Sequence, residues 1–176
     1  MSDATRLMPG TPFPALKLPL ADGQEIALGS PGWRAVFVIR GAHCGICRQY
    51  LNQIESYRAD WEGKGVEVIV ASADEPIKAD VFAKEAGYKG TVAGGLDVPS
   101  MAKLGLWMTG PESSPLDYVH AEPGFFLIDP DGNVAVTDIS NLATMRPDLK
   151  WLAMGITYIT DGNLRPNSFG SYEAKS

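Results

Sequence analysis

Ala35-Val36-Phe37-Val38-Ile39 is apolar at every position, as expected of a strand covered on both faces. Beyond it, Cys47, Tyr50, Leu51, Ile54, Tyr57 and Trp61 recur at spacings of three and four. That spacing predicts one buried face of a helix running to Trp61. Gly63-Lys64-Gly65 closes the helix, and residues 66–72 read as a second strand. Two strands joined by a helix predict a right-handed βαβ unit with a parallel pair.

Shorter patterns on either side predict hairpins. Residues 16–20 and 24–28 flank an Asp22-Gly23 turn. Pro19 would remove a ladder hydrogen bond from a central strand, so this hairpin belongs at a sheet edge. Residues 125–128 and 134–136 flank the turn Asp129-Pro130-Asp131-Gly132-Asn133. A second helix is predicted over 75–87, with Pro76 in its first turn and Gly87 as its stop. A short strand over 91–94 and a short helix over 99–104 follow. Leu149, Leu152, Ala153, Ile156 and Ile159 predict a closing amphipathic helix over 147–159, with Pro147 in its first turn and Asp148 near its positive dipole end. Residues 105–122 show no clean period, and a long irregular loop inside a domain is often functional. Residues 1–15 read as a surface strap and 161–176 as a polar irregular tail.

Composition narrows the classes. At 176 residues, 45% hydrophobic and 20% charged, the chain is expected to be a single α/β domain over 1–176, with its core in 9–160. A net charge of -6 argues against nucleic acid or an anionic membrane as partner. No apolar run approaches membrane-spanning length. The opening Met1-Ser2-Asp3-Ala4-Thr5-Arg6 has no basic segment leading into an apolar one, so the cytoplasm is the expected compartment. There, a close pair of cysteines is more often catalytic or metal-binding than structural.

Both cysteines lie in Gly41-Ala42-His43-Cys44-Gly45-Ile46-Cys47-Arg48, where the apolar strand hands over to the helix. A Cys-x-x-Cys in that position is a redox-motif context. Backbone N–H groups at a helix start lack partners, and the aligned peptide dipoles place partial positive charge there. Both effects favour thiolate, the form that attacks disulfides and peroxides. Arg40, His43 and Arg48 add charged or chargeable groups around the thiols. Cys47 begins the buried stripe, whereas Cys44, one turn earlier, is expected at the open end. An open thiol with a shielded neighbour suits an attacking and a resolving cysteine. Two inert buried thiols, a zinc half-site and a structural disulfide compete with this reading. The zinc site needs two further ligands in a chain with two cysteines and two histidines. So short a disulfide loop restricts the unfolded chain little.

The order of elements resembles a thioredoxin-like fold, a central mixed sheet flanked by helices, with an N-terminal β-hairpin extension. His43-Cys44-Gly45-Ile46-Cys47-Arg48 is similar to the thioredoxin hexapeptide Trp-Cys-Gly-Pro-Cys-Lys. The resemblance implies that Pro123, just before Gly124-Phe125-Phe126, is a cis proline packed on the cysteine pair and positioning the substrate, since X–Pro bonds alone reach the cis form at small cost. Gly10-Thr11-Pro12-Phe13-Pro14 and Phe126-Leu127-Ile128-Asp129-Pro130-Asp131-Gly132 resemble peroxiredoxins of the alkyl hydroperoxide reductase/thiol-specific antioxidant (AhpC/TSA) family, over residues 9–160. The peroxidase motif Pro-x-x-x-Thr-x-x-Cys, laid on Cys47, meets Arg40 at its proline and Cys44 at its threonine. The family's arginine before the hairpin falls on Pro123. Thioredoxin's buried acid falls on Val38, which leaves His43 and Glu122 as candidates for proton transfer.

The resemblance implies a thiol–disulfide oxidoreductase or thiol peroxidase that needs no cofactor. Its expected partners are a protein or small-molecule disulfide, or a peroxide, and a cellular dithiol as electron donor. The implied assembly is a homodimer. Thioredoxin logic makes Cys44 the nucleophile, whereas the peroxiredoxin alignment makes it Cys47. A rival reading places His120 beside Cys44 and Cys47 as a third ligand for Cu(I) or Zn(II). An inactive binding module on the same fold is the remaining alternative.

Overall fold

The computed structural model describes residues 7–163. The start of the strap, 1–6, and most of the tail, 164–176, lie outside the described residues. The apolar run forms β3 (Trp33–Val38), which pairs in parallel with β4 (Val66–Ala71) through α1 (Gly45–Gly63). Phe37 and Ala35 face one side of the sheet, Val36 and Val38 the other, and all four are buried. This accounts for the absence of polar positions in the strand.

A five-stranded sheet grows outward from this pair in the order β5 (Thr91–Ala93), β4, β3, β8 (Gly124–Ile128) and β9 (Val134–Ile139). β5 extends it in parallel beyond β4, after α2 (Pro76–Glu85). On the other side β8 pairs antiparallel with β3, and β9 with β8. The N-terminal hairpin, β1 (Lys17–Pro19) and β2 (Glu25–Ala27), forms its own two-stranded sheet. It meets the edge of the main sheet by an isolated bridge between Leu20 and Ala93. At that edge the Pro19 carbonyl accepts the Gly94 N–H at 3.0 Å.

Each face of the sheet is covered. α1, α2 and the closing helix α4 (Leu149–Thr160) pack Leu51, Ile54, Trp61, Phe82, Leu149 and Ile156 on the Phe37 side. Phe13 of the strap and Leu16 just before β1, together with α3 (Val98–Lys103), cover the Val36 side. Phe37 is the hub, with ring centroids 4.9 Å from Phe125, 5.9 Å from Trp61 and 6.2 Å from Tyr50. Aromatic pairs at such spacings add roughly 0.5–1.5 kcal/mol each beyond area burial, so the first turns of α1 rest on a stiff platform.

Several expected boundaries shift. α4 begins after Pro147, because the Asp148 side chain accepts the Trp151 N–H at 3.0 Å and caps the helix. The aperiodic stretch 105–122 is tied down by a two-residue ladder between β6 (Met108–Thr109) and β7 (His120–Ala121), with one turn of 3-10 helix at Pro111–Ser113. Among the described residues there is no cis peptide bond, so Pro123 is not the cis proline that was expected. Glu122 and Pro123 alone separate β7 from β8. Glu122 N–H is bonded to Trp107 O at 2.8 Å, and Pro123 O accepts from Ser140 N–H at 3.0 Å. Those two bonds hold the chain to its neighbours without a reversal.

Candidate active site

The site begins where β3 ends. Gly41 has φ +117°, and a Cβ there would collide with Asp74 Oδ2, so only glycine suits the position. The Ala42 N–H donates to that same carboxylate oxygen at 2.7 Å. Cys44 N–H then donates to Gly41 O at 3.1 Å. These bonds turn the chain so that Cys44 becomes the N-cap of α1, with extended backbone and its sulfur accepting the Cys47 N–H at 3.2 Å. A sulfur in the place of a capping oxygen takes one of the helix's unpaired donors.

Both cysteines are free thiols and both are buried, Cys44 4% exposed and Cys47 0%. The expected open position of Cys44 is therefore corrected. Arg146, from the loop between β9 and α4, lies against the two sulfurs. Its Nη2 is 3.1 Å from Cys47 Sγ and 3.9 Å from Cys44 Sγ. Its guanidinium carbon stands 5.1 Å above the centroid of the Tyr50 ring, and its Nε donates to Ala143 O at 2.9 Å. Tyr50 completes the clamp by donating its hydroxyl to Pro147 O at 2.9 Å.

The two sulfurs are driven apart in acidity. The hydrogen bond from the Cys47 thiol, the Cys47 backbone N–H and the Arg146 and Arg40 cations bring Cys44 down to about 5, against the opposing effect of burial. The same hydrogen bond between the two side chains, with burial, raises Cys47 far above the ordinary thiol range, and Arg146 opposes that rise. Arg146 is nearer to Cys47, whereas the Cys47 N–H and the N-terminus of α1 act on Cys44, an arrangement that favours the thiolate form of Cys44.

Arg40 is engaged with Glu122, its Nε 3.0 Å from Oε2 and 3.2 Å from Oε1. Thr109 Oγ1 donates to Glu122 Oε1 at 2.6 Å. His43 does not serve as a cation beside the thiols. Its ring packs edge-on against His120 with centroids 4.6 Å apart. Burial, His120 and Arg40 lower its pKa, and burial and Arg40 lower that of His120. Arg48 points away, pairing at the surface with Glu85 at 3.1 Å and lying over Phe82. A groove of ≈ 480 Å³ runs beside the loop, lined by Ala42, Arg48, Lys78 and Phe82 among others, but neither cysteine lines it.

The three-ligand set Cys44, Cys47 and His120 does not assemble. Among the described residues no group of three or more His, Cys, Asp or Glu side chains is placed to hold a metal ion. His120 is 0% exposed and faces His43 and Glu122, its Nε2 3.8 Å from Glu122 Oε1. The structure thus brings Cys44, Cys47 and Arg40 together, turns His43 aside, and adds Arg146 and Asp74, which sequence reasoning missed.

Residues 9–137 match the AhpC/TSA family. The chain belongs to the AhpC/TSA family. As a member it is a thiol-dependent oxidoreductase. Solved structures agree on the fold. A peroxiredoxin-like protein from Aquifex aeolicus superposes with a TM-score of 0.74 at 21% identity, covering 88% of each chain. A reduced peroxiredoxin from Vibrio vulnificus in complex with hydrogen peroxide gives 0.72 at 13% identity, over 85% of this chain and 99% of that one. A thiol:disulfide interchange protein from Chlorobium tepidum gives 0.66 at 22% identity, over 88% and 98%. No curated protein matches the chain in sequence. In this chain Cys44 stands three residues before Cys47, and the arginine beside the two sulfurs is Arg146.

Proposed function

We propose that this AhpC/TSA protein is a dithiol–disulfide oxidoreductase in which Cys44 attacks and Cys47 resolves. The observation that carries the reading is the Cys47 N–H directed at Cys44 Sγ, 3.2 Å away, at the N-cap of α1. It supplies a fixed donor to the charged sulfur without any rearrangement. With a disulfide substrate, the Cys44 thiolate forms a bond to one substrate sulfur while the other leaves as thiolate. Cys47 then loses its proton and attacks Cys44 Sγ, closing the protein disulfide and releasing the second substrate thiolate. Two electrons pass from the protein to the substrate, and an external dithiol returns them.

A peroxide enters the same cycle. Cys44 takes the distal oxygen as a sulfenic acid, the O–O bond breaks and an alcohol or water leaves after protonation. Cys47 condenses with the sulfenic acid, expelling water. Disulfide and peroxide are therefore alternative oxidants of one pair. We also propose the cytoplasm as its compartment, since a close cysteine pair is more often catalytic than structural there.

Single Cys44→Ser and Cys47→Ser variants test this. Cys47→Ser should hold the substrate as a stable mixed disulfide on Cys44, and Cys44→Ser should form none. Capture on Cys47 in the Cys44→Ser protein, with none in Cys47→Ser, would reverse the roles and sink the proposal.

A further inference from the structure

The position of Arg146 bears on the second half of the cycle, and the inference rests on the Cys44-first reading above. In the resting dithiol the charge sits on Cys44, yet the guanidinium is closer to Cys47, 3.1 Å against 3.9 Å. Cys44 has its own donors in the Cys47 N–H and the helix N-terminus. Cys47 is fully buried one turn inside the helix. The position of thioredoxin's buried acid carries Val38, 1% exposed on β3, so no carboxylate stands there to take the Cys47 proton.

We propose that Arg146 is a catalytic residue for resolution, the cation that stabilises the Cys47 thiolate once Cys44 is in the mixed disulfide. When Cys44 bonds to the substrate sulfur its negative charge leaves with the first thiolate product. The guanidinium then has one sulfur to stabilise, and it already lies within hydrogen-bond reach of it. Cys47 gives its proton to solvent or to the departing thiolate. Its electron pair forms the S–S bond to Cys44, and the Cys44–substrate bond breaks with its electrons going to the substrate sulfur. No further oxidant is required. A charge at this range shifts a buried group by about 1–3 pKa units, so losing it removes roughly ten- to a thousandfold of the resolving thiolate. The rate falls by less than the thiolate fraction, because nucleophilicity rises with pKa.

The clamp around Arg146 serves this role. Its stacking on Tyr50, the Nε bond to Ala143 O and the Tyr50–Pro147 bond hold the fork at the sulfurs from two sides. A fixed cation aimed at a sulfur that becomes charged later in the cycle is preorganised for that step.

The test is a two-step reaction of the reduced full chain with a substoichiometric aromatic disulfide, the dimer of nitrothiobenzoate. Its coloured thiolate reports each bond broken. Wild type should release two thiolates per disulfide, the first by attack and the second by resolution. In Arg146→Met the ratio of the second rate constant to the first should fall about three- to sixtyfold, with an accumulated Cys44 adduct visible by intact mass. Arg146→Lys should recover part of that ratio. If Arg146→Met does not fold, Arg146→Gln carries the same comparison. An unchanged ratio in the variant without the cation, or Arg146→Lys behaving no better than Arg146→Met, overturns the proposal. A wild-type chain that releases only one thiolate would instead refute the dithiol reading on which it rests.

Discussion

Asp74 Oδ2 accepts the Ala42 N–H at 2.7 Å across 32 residues of sequence, so a carboxylate after β4 fixes the loop that presents Cys44. Its other oxygen receives the Tyr118 hydroxyl at 2.7 Å and Lys78 Nζ at 2.8 Å. Burial opposes the charged form, but the bonds from Lys78, Tyr118 and Ala42 outweigh it and hold the carboxyl below its usual range. Replacing Asp74 by Ala strands these partners and should cost about 2–4 kcal/mol, in the range for breaking a buried charged network. A group whose folded pKa is lowered contributes stability that is present above its unfolded value, about 3.9, and lost as pH falls through the folded value. Urea midpoints measured below pH 4 (~3.9) should therefore drop for wild type, with less of that drop in Asp74→Asn.

Gly41→Ala sets a methyl group against the same carboxylate in a backbone conformation that L side chains rarely adopt. The expected loss is about 1–3 kcal/mol, together with slower alkylation of Cys44 as the loop shifts. Thermal unfolding and the alkylation rate should both move. A change in unfolding alone would mean that the loop does not control the thiol.

His43 and His120 have all four ring nitrogens buried without a hydrogen-bond partner, and both pKa values lie below the ordinary histidine value, burial being the leading cause. The unfolded chain therefore binds protons that the folded one refuses, and stability falls as pH drops below about 6.5. His120→Phe keeps a ring against His43 and removes one of the two sites. Its stability should decline less than that of wild type between about 6.5 and the lowered histidine values, a window above the one Asp74 governs. Parallel stability curves for the two proteins there would show that His120 does not contribute.

Arg48, although adjacent to Cys47, is spent on an exposed pair with Glu85, the side chains being 45% and 59% exposed. Exposed pairs are worth about 0–1 kcal/mol. Arg48→Ala should leave the Cys44 alkylation rate within about twofold of wild type, and a larger fall would return Arg48 to the thiol environment.

The local part of this site was legible in the chain. A glycine-led turn after an all-apolar strand, with cysteines at the first turn of a periodic helix, leaves little freedom for where Cys44 and Cys47 go. The hairpins were legible for the same reason, since Asp22-Gly23 and Asp129-Pro130-Asp131-Gly132 fix their own turns. What could not be read depends on contacts between distant segments. Arg146 lies 99 residues from Cys47 in an aperiodic stretch, and no pattern around it marks which side chain reaches back. The burial of Cys44 was out of reach for a similar reason: helical periodicity ranks the faces of one helix but does not reveal what the rest of the fold lays across its end. The isomer at Pro123 was equally out of reach, because trans backbone satisfies Glu122 and Pro123 through Trp107 and Ser140, partners that only the folded sheet brings near. Sequence adjacency misplaced Arg48 as well, which pairs with Glu85 at the surface.

The central claim is that the fold makes Cys44, and not Cys47, an acidic thiol. Alkylation of the reduced protein by iodoacetamide, followed as a function of pH and assigned by peptide mass spectrometry, measures this directly. Cys44 should be labelled first, with a rate that rises through an inflection at about 5. First labelling of Cys47, or an inflection near the ordinary thiol value of about 8.5, would contradict it.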